Sequence, residues 1–109
     1  MQRRTTVLRI YPVSLELVRD VQPLVRRLRS FDRNLADQLD RACTAVPLHL
    51  AEADGLRDGM RRVRHQTALG EARETASCLD VANAKGFDVP ERSRQRLDHV
   101  IGVLVKITR

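Results

Sequence analysis

His49 and Glu52 lie three residues apart in a stretch with helical apolar spacing, and Glu74 follows in a second such stretch. In a helical bundle, histidine and carboxylate at this separation make half of a carboxylate metal site, which needs two Glu-x-x-His motifs and two further inward carboxylates. Here the order is reversed and the second motif is missing, so neither a metal nor any other cofactor is expected. No Ser or Cys sits in a nucleophile elbow, and no glycine-rich loop opens a helix, so nucleophilic catalysis and nucleotide binding have no site. The chain is not expected to be an enzyme. His65 and His99, beside Arg64 and Asp98, read as exposed side chains rather than a base and its partner. Cys43 and Cys78 match no C-x-x-C spacing and read as free thiols packed in a core.

The remaining chemistry is that of arginine. Lys and Arg number 20 against 14 Asp and Glu, a net charge of +6, and the excess is uneven. Residues 1–13 and 55–65 each carry +3, whereas residues 31–54 carry −3. Arg26, Arg27 and Arg29 cluster near the end of one helical pattern; Arg57, Arg61, Arg62 and Arg64 follow the next; Arg92, Arg94 and Arg96 open the last. Guanidinium groups suit bidentate phosphate contact, which makes these ten side chains the candidate RNA or DNA contacts. Tyr11, Phe31 and Phe87 are the only aromatic residues. With so little stacking surface and no recognition-helix motif, binding is expected to be driven by the backbone and weakly sequence-specific.

Four helices must position these groups. Leu17, Val18, Val21, Leu24, Val25 and Leu28 recur at steps of three to four residues and predict a helix over about 14–30, with Ser14 as its cap and Pro23 as a kink. Val7 to Tyr11 reads as an extended lead-in. Phe31 and Asp32 form a staple and cap for a second helix over about 33–54, whose stripe is Leu35, Leu39, Ala42, Val46, Leu50 and Ala53, bent at Pro47. A third, over about 59–85 with Asp58 as its cap, is expected to turn Met60, Val63, Thr67, Gly70, Glu74, Cys78 and Val81 inward. Gly86 ends it, and Asp88 to Pro90 start a fourth over about 90–108 that buries Leu97, Val100 or Ile101, Leu104 and Val105. With 109 residues and short connections, the expectation is one all-α, antiparallel, up-down-up-down four-helix bundle. No apolar run approaches the length of a membrane span or a signal segment, so a cytoplasmic protein with no membrane partner is expected.

The second helix carries a further stripe of Gln38, Ala42, Ala45, His49 and Glu52. Pairing it antiparallel with the third sets Ala42 opposite Gly70 in a close helix contact and Glu52 opposite Arg61, and lets Glu74 reach Gln38 or Arg41. This polar seam is either a pocket or a satisfied network that fixes helix register.

Gln38-Leu39-Asp40-Arg41-Ala42 followed by Val46-Pro47-Leu48-His49-Leu50-Ala51-Glu52-Ala53 resembles the "QLRRA…SIPxNIAEG" signature of the four-helix-bundle family encoded in intervening sequences of bacterial large-subunit rRNA genes. Ala68-Leu69-Gly70-Glu71-Ala72-Arg73-Glu74, then Leu79-Asp80-Val81-Ala82 and Gly86-Phe87, is similar to that family's "AxGSxxE…LxxA…GY". The likeness runs from about residue 8 to 109. The motif's Asn is His49 here, its last Gly is Ala53 and its Ser is Glu71, so a function resting on that Asn or Ser does not carry over. The family includes the accessory protein of diversity-generating retroelements. The resemblance implies a ring-shaped homopentamer, a nucleic-acid-binding role, and a reverse transcriptase or another protein as partner. The rival reading is a protein-interaction scaffold without nucleic-acid binding.

Overall fold

The computed structural model describes residues 2–109, with side chains from Arg9 onward. Four helices, α1 (Gln2–Arg29), α2 (Arg33–Asp54), α3 (Asp58–Ala84) and α4 (Glu91–Thr108), follow one another through short turns, and no strand occurs among the described residues. Each packs on its chain neighbours and α1 closes against α4, which leaves α1 diagonal to α3 and makes the bundle antiparallel up-down-up-down. At 44 × 22 × 21 Å, it is as long as its longest helix, since 28 residues at ~1.5 Å each span ~42 Å.

The large apolar residues at three- and four-residue steps become the core. Leu17, Leu24, Leu28, Leu39, Leu50, Leu79, Leu97 and Leu104 are fully buried. Asp32 caps α2 by accepting the Leu35 backbone N–H at 3.1 Å. The Lys85 ammonium, 2.5 Å from its other oxygen, and the Leu35 N–H hold the Asp32 carboxyl below the usual carboxylate range.

Three expectations about local structure are corrected. The first helix begins at Gln2 rather than residue 14 and runs through Pro12 and Pro23. Both prolines face solvent, where a carbonyl deprived of its helical partner is hydrated, and Ile10 extends the buried stripe beyond Pro12. Ser14 is therefore no cap; it is buried mid-helix and its Oγ donates to the Tyr11 carbonyl at 2.6 Å. Asp58 and Asp88 do not cap α3 and α4 either: the residues flanking those helices are Arg57 and Pro90, and neither makes a side-chain cap bond.

The largest correction concerns the face of α3. Met60 is 64% exposed, Val63 61% and Val81 43%, and Thr67 and Gly70 also face outward. The inward face is built from His65, Ala68, Leu69, Ala72, Thr75, Cys78, Leu79 and Ala82. Apart from Leu69 and Leu79 the apolar members of this face are small, so the outward Met60, Val63 and Val81 compete with it in the apolar pattern of the sequence. A Cβ placed on Gly70 would meet nothing within 4 Å, which removes the close contact expected with Ala42, itself fully buried.

Candidate nucleic-acid interface

The helix order sends the arginine clusters to the ends of the bundle. Arg26, Arg27 and Arg29 close α1, beside the start of α4 with Arg92 and Arg94; Arg57, Arg61, Arg62 and Arg64 lie at the other end, where α2 turns into α3. Several are already matched. Arg29 contacts Asp37 at 2.6 Å and Asp40 at 3.4 Å, and Arg94 contacts Asp80 at 2.6 Å. Asp20, with only 9% of its side chain exposed, takes Arg96 and, at 3.5 Å, Arg92. Arg64 meets Glu52 at 3.3 Å and His49 Nδ1 at 3.4 Å.

Three others are held by backbone carbonyls. Arg61 donates to Leu56 O at 2.7 Å and Ala53 O at 3.4 Å, at the end of α2, and also faces the Asp58 carboxylate at 3.6 Å. Arg62 donates through Nε and Nη2 to Thr108 O, at 3.2 and 2.5 Å, at the end of α4. A cation at a helix C-terminus answers both the unpaired carbonyls and the negative end of the dipole. Arg27 donates to Asp88 O at 3.3 Å. A guanidinium bound to a neutral carbonyl keeps its full charge, unlike one opposite a carboxylate.

Arg26 and Arg57 are exposed and without a side-chain partner among the described residues, as are Arg9, Arg33, Arg73, Lys106 and Arg109, which lie outside the three sequence clusters. Apart from Arg73, midway along α3, the uncompensated charge gathers in two places. Arg26, Arg27 and Arg33 lie where α1 hands over to α2; Arg9, Arg57, Lys106 and Arg109 lie at the opposite end.

The polar seam between α2 and α3 is real in register and superficial in depth. Arg41 pairs with Glu74, as expected, and with Glu71 at 3.2 Å. Gln38 is exposed, Arg41 retains 56% of its side-chain exposure, and Glu52 meets Arg64 one turn on from the expected Arg61. The expected buried network does not form there; the seam is a row of surface ion pairs. Among the described residues no group of three or more His, Cys, Asp or Glu is placed to hold a metal.

His65 is likewise corrected: it is 6% exposed, not on the surface, and its Nε2 has no hydrogen-bond partner among the described residues. Burial, helped by the Arg61 charge, pushes its pKa down. Cys43 and Cys78 are both free and buried, and desolvation pushes the Cys43 thiol up to about 12.

Sequence reasoning also missed an aromatic pair. The Phe31 and Phe87 ring centroids lie 5.7 Å apart at 65°, edge to face. Gly86, at φ 97°, turns the chain after α3 so that the Phe87 N–H returns to Ala82 O at 3.0 Å, the Schellman closure, and Phe87 packs against the core. Phe31 lies on its ring and stays 79% exposed. Beside the pair an open cleft of ≈ 580 Å³ runs between Arg27 and residues 86–90. The ring partner of Phe31 is thus Phe87, distant in sequence, rather than the residue of α2 that a local staple implies.

A family model described as "23S rRNA-intervening sequence protein" matches residues 6–108. A crystal structure of a protein of unknown function from the S23 ribosomal protein family, from Bacteroides thetaiotaomicron, superposes with a TM-score of 0.77 at 19% identity, covering 92% of this chain and 98% of that one. No curated protein matches the chain.

Proposed function

The chain belongs to the 23S rRNA-intervening sequence protein family, and we propose that it works without catalysing a reaction, as a homo-oligomeric bundle that binds the phosphate backbone of RNA or DNA. The observation that carries this reading is the gathering of carboxylate-free cations at the two ends: Arg26, Arg27 and Arg33 at one, Arg9, Arg57, Lys106 and Arg109 at the other. Because ion-paired arginines add little net field, these seven replace Arg29, Arg61, Arg64, Arg92, Arg94 and Arg96 as the leading phosphate contacts, Arg61 being opposite Asp58 at 3.6 Å; Arg62 contributes charge from its capping position.

Self-association is supported by apolar side chains left outward on diagonal helices, Met60 and Val63 on α3 and Tyr11 and Leu15 on α1. Two different patches on opposite sides suit a head-to-tail contact, which closes into a ring when the rotation per subunit allows it. A pentamer is the number the family resemblance implies. Repetition in a ring gives each phosphate-binding end several copies, so a polyanion touching more than one gains avidity. Accessory service to a nucleic-acid enzyme such as a reverse transcriptase is the role proposed on the same resemblance.

The test is fluorescence anisotropy with labelled RNA and DNA at ~50 mM salt, where such contacts are strong. Replacing Arg26, Arg27 and Arg33 with Gln is expected to weaken RNA and DNA binding about equally. Unchanged affinity would remove that end from the interface, and a wild-type protein that binds neither polymer would leave the scaffold reading in its place.

A further inference from the structure

We propose that Phe31 and the cleft beside Phe87 form a stacking site for an unpaired nucleobase, so that this end of the bundle takes single-stranded RNA or DNA in preference to duplex. The inference rests on the phosphate-binding reading and specifies its ligand. Phe31 is exposed yet fixed: its ring meets Phe87 edge to face, and Phe87 is locked by the left-handed turn at Gly86 and by Asn83 Nδ2, which donates to its carbonyl at 3.3 Å. Such a ring offers a flat face to solvent and is oriented by its contact with Phe87. A nucleobase presents a complementary face whatever its hydrogen-bonding edge, but only when it is unpaired and unstacked.

Charge around the ring points to the same ligand. Arg27 lines the cleft and is engaged only by a carbonyl, Arg26 and Arg33 have no side-chain partner among the described residues, and the nearby Asp32 is neutralised by Lys85. Within the lining Asp88 offsets Arg27, so the positive balance at this end comes from Arg26 and Arg33 outside it. An apolar protein segment would be met by this aromatic pair but not by three cations. A duplex would satisfy the cations but hide its base faces from the ring.

The chain has no tryptophan, so Phe31→Trp supplies a single fluorescent reporter on the ring position. Its emission is expected to be quenched by a single-stranded oligonucleotide, and not by a duplex of equal length or by inorganic polyphosphate. In the unlabelled protein Phe31→Ala is expected to lower single-strand affinity roughly tenfold, the usual worth of one stacked base. Duplex affinity should hold, and Phe31→Tyr should keep most of the single-strand affinity. Circular dichroism melts verify that the variants fold, which the exposure of Phe31 leads one to expect. Equal single-strand and duplex binding, indifferent to Phe31→Ala, overturns the stacking site and leaves backbone binding intact. No binding of either polymer overturns both. Quenching that follows protein concentration without oligonucleotide overturns the proposal by assigning Phe31 to a contact between copies of the chain.

Discussion

His65 is the side chain whose environment departs furthest from what its neighbours in the chain suggest. Arg64 beside it is on the surface, making an ion pair with Glu52, while the imidazole one residue on points into the bundle with Nε2 unpartnered. Burial disfavours the imidazolium, so the folded-state pKa lies below the unfolded value near 6.5. The sign follows from linkage: above the unfolded pKa both states hold neutral His65 and it costs nothing. As pH falls through 6.5 the unfolded chain takes up the proton first, and stability falls until the folded pKa is passed. Denaturation midpoints measured between pH 8 and pH 5 should therefore fall more steeply in wild type than in His65→Leu. Parallel curves would show that the ring is hydrated in solution.

α3 shows what helical periodicity reveals and what it hides. α2 was readable because its inward positions are large, Leu35, Leu39, Val46 and Leu50, and because Asp32 supplies a cap of the expected kind. In α3 only Leu69 and Leu79 are large among the inward positions, while Ala68, Ala72, Thr75 and Ala82 carry little apolar signal, and Met60, Val63 and Val81 compete from the opposite side. The helix was legible and its rotation was not. The candidate site divides in the same way: the arginine clusters are visible in the chain, but which arginines already have a carboxylate, and that Phe31 finds Phe87, depend on tertiary register. Two substitutions separate the faces. Gly70→Ala, an exposed mid-helix change with open space around the new methyl, should raise stability by ~0.5–1 kcal/mol. Ala72→Leu, at a fully buried position, should lower it by ~1–3 kcal/mol through overpacking. Thermal melts with the opposite ordering would return the helix to its expected rotation.

At the scale of the whole molecule, two surface properties act together: apolar strips on α1 and α3, and cations at the ends. Val63→Glu, on the outward face of α3, is expected to shift the protein toward monomer in sedimentation or light scattering without a matching fall in helicity, because the residue is 61% exposed in the single chain. An unchanged mass would take α3 out of the contact. The same variant should bind nucleic acid more weakly, since avidity falls with the number of linked sites. The measurement that bears most directly on phosphate-backbone binding is the salt dependence of wild-type affinity for RNA and for DNA. If phosphates carry the affinity, log K falls linearly with log salt, with a slope of roughly −0.7 to −0.9 per phosphate neutralised. Replacing Arg26, Arg27 and Arg33 should flatten that slope by about one unit for each phosphate the arginines had held. A protein that retains neither polymer at ~50 mM salt, where backbone binding is strong, would contradict phosphate binding as the function of these cations.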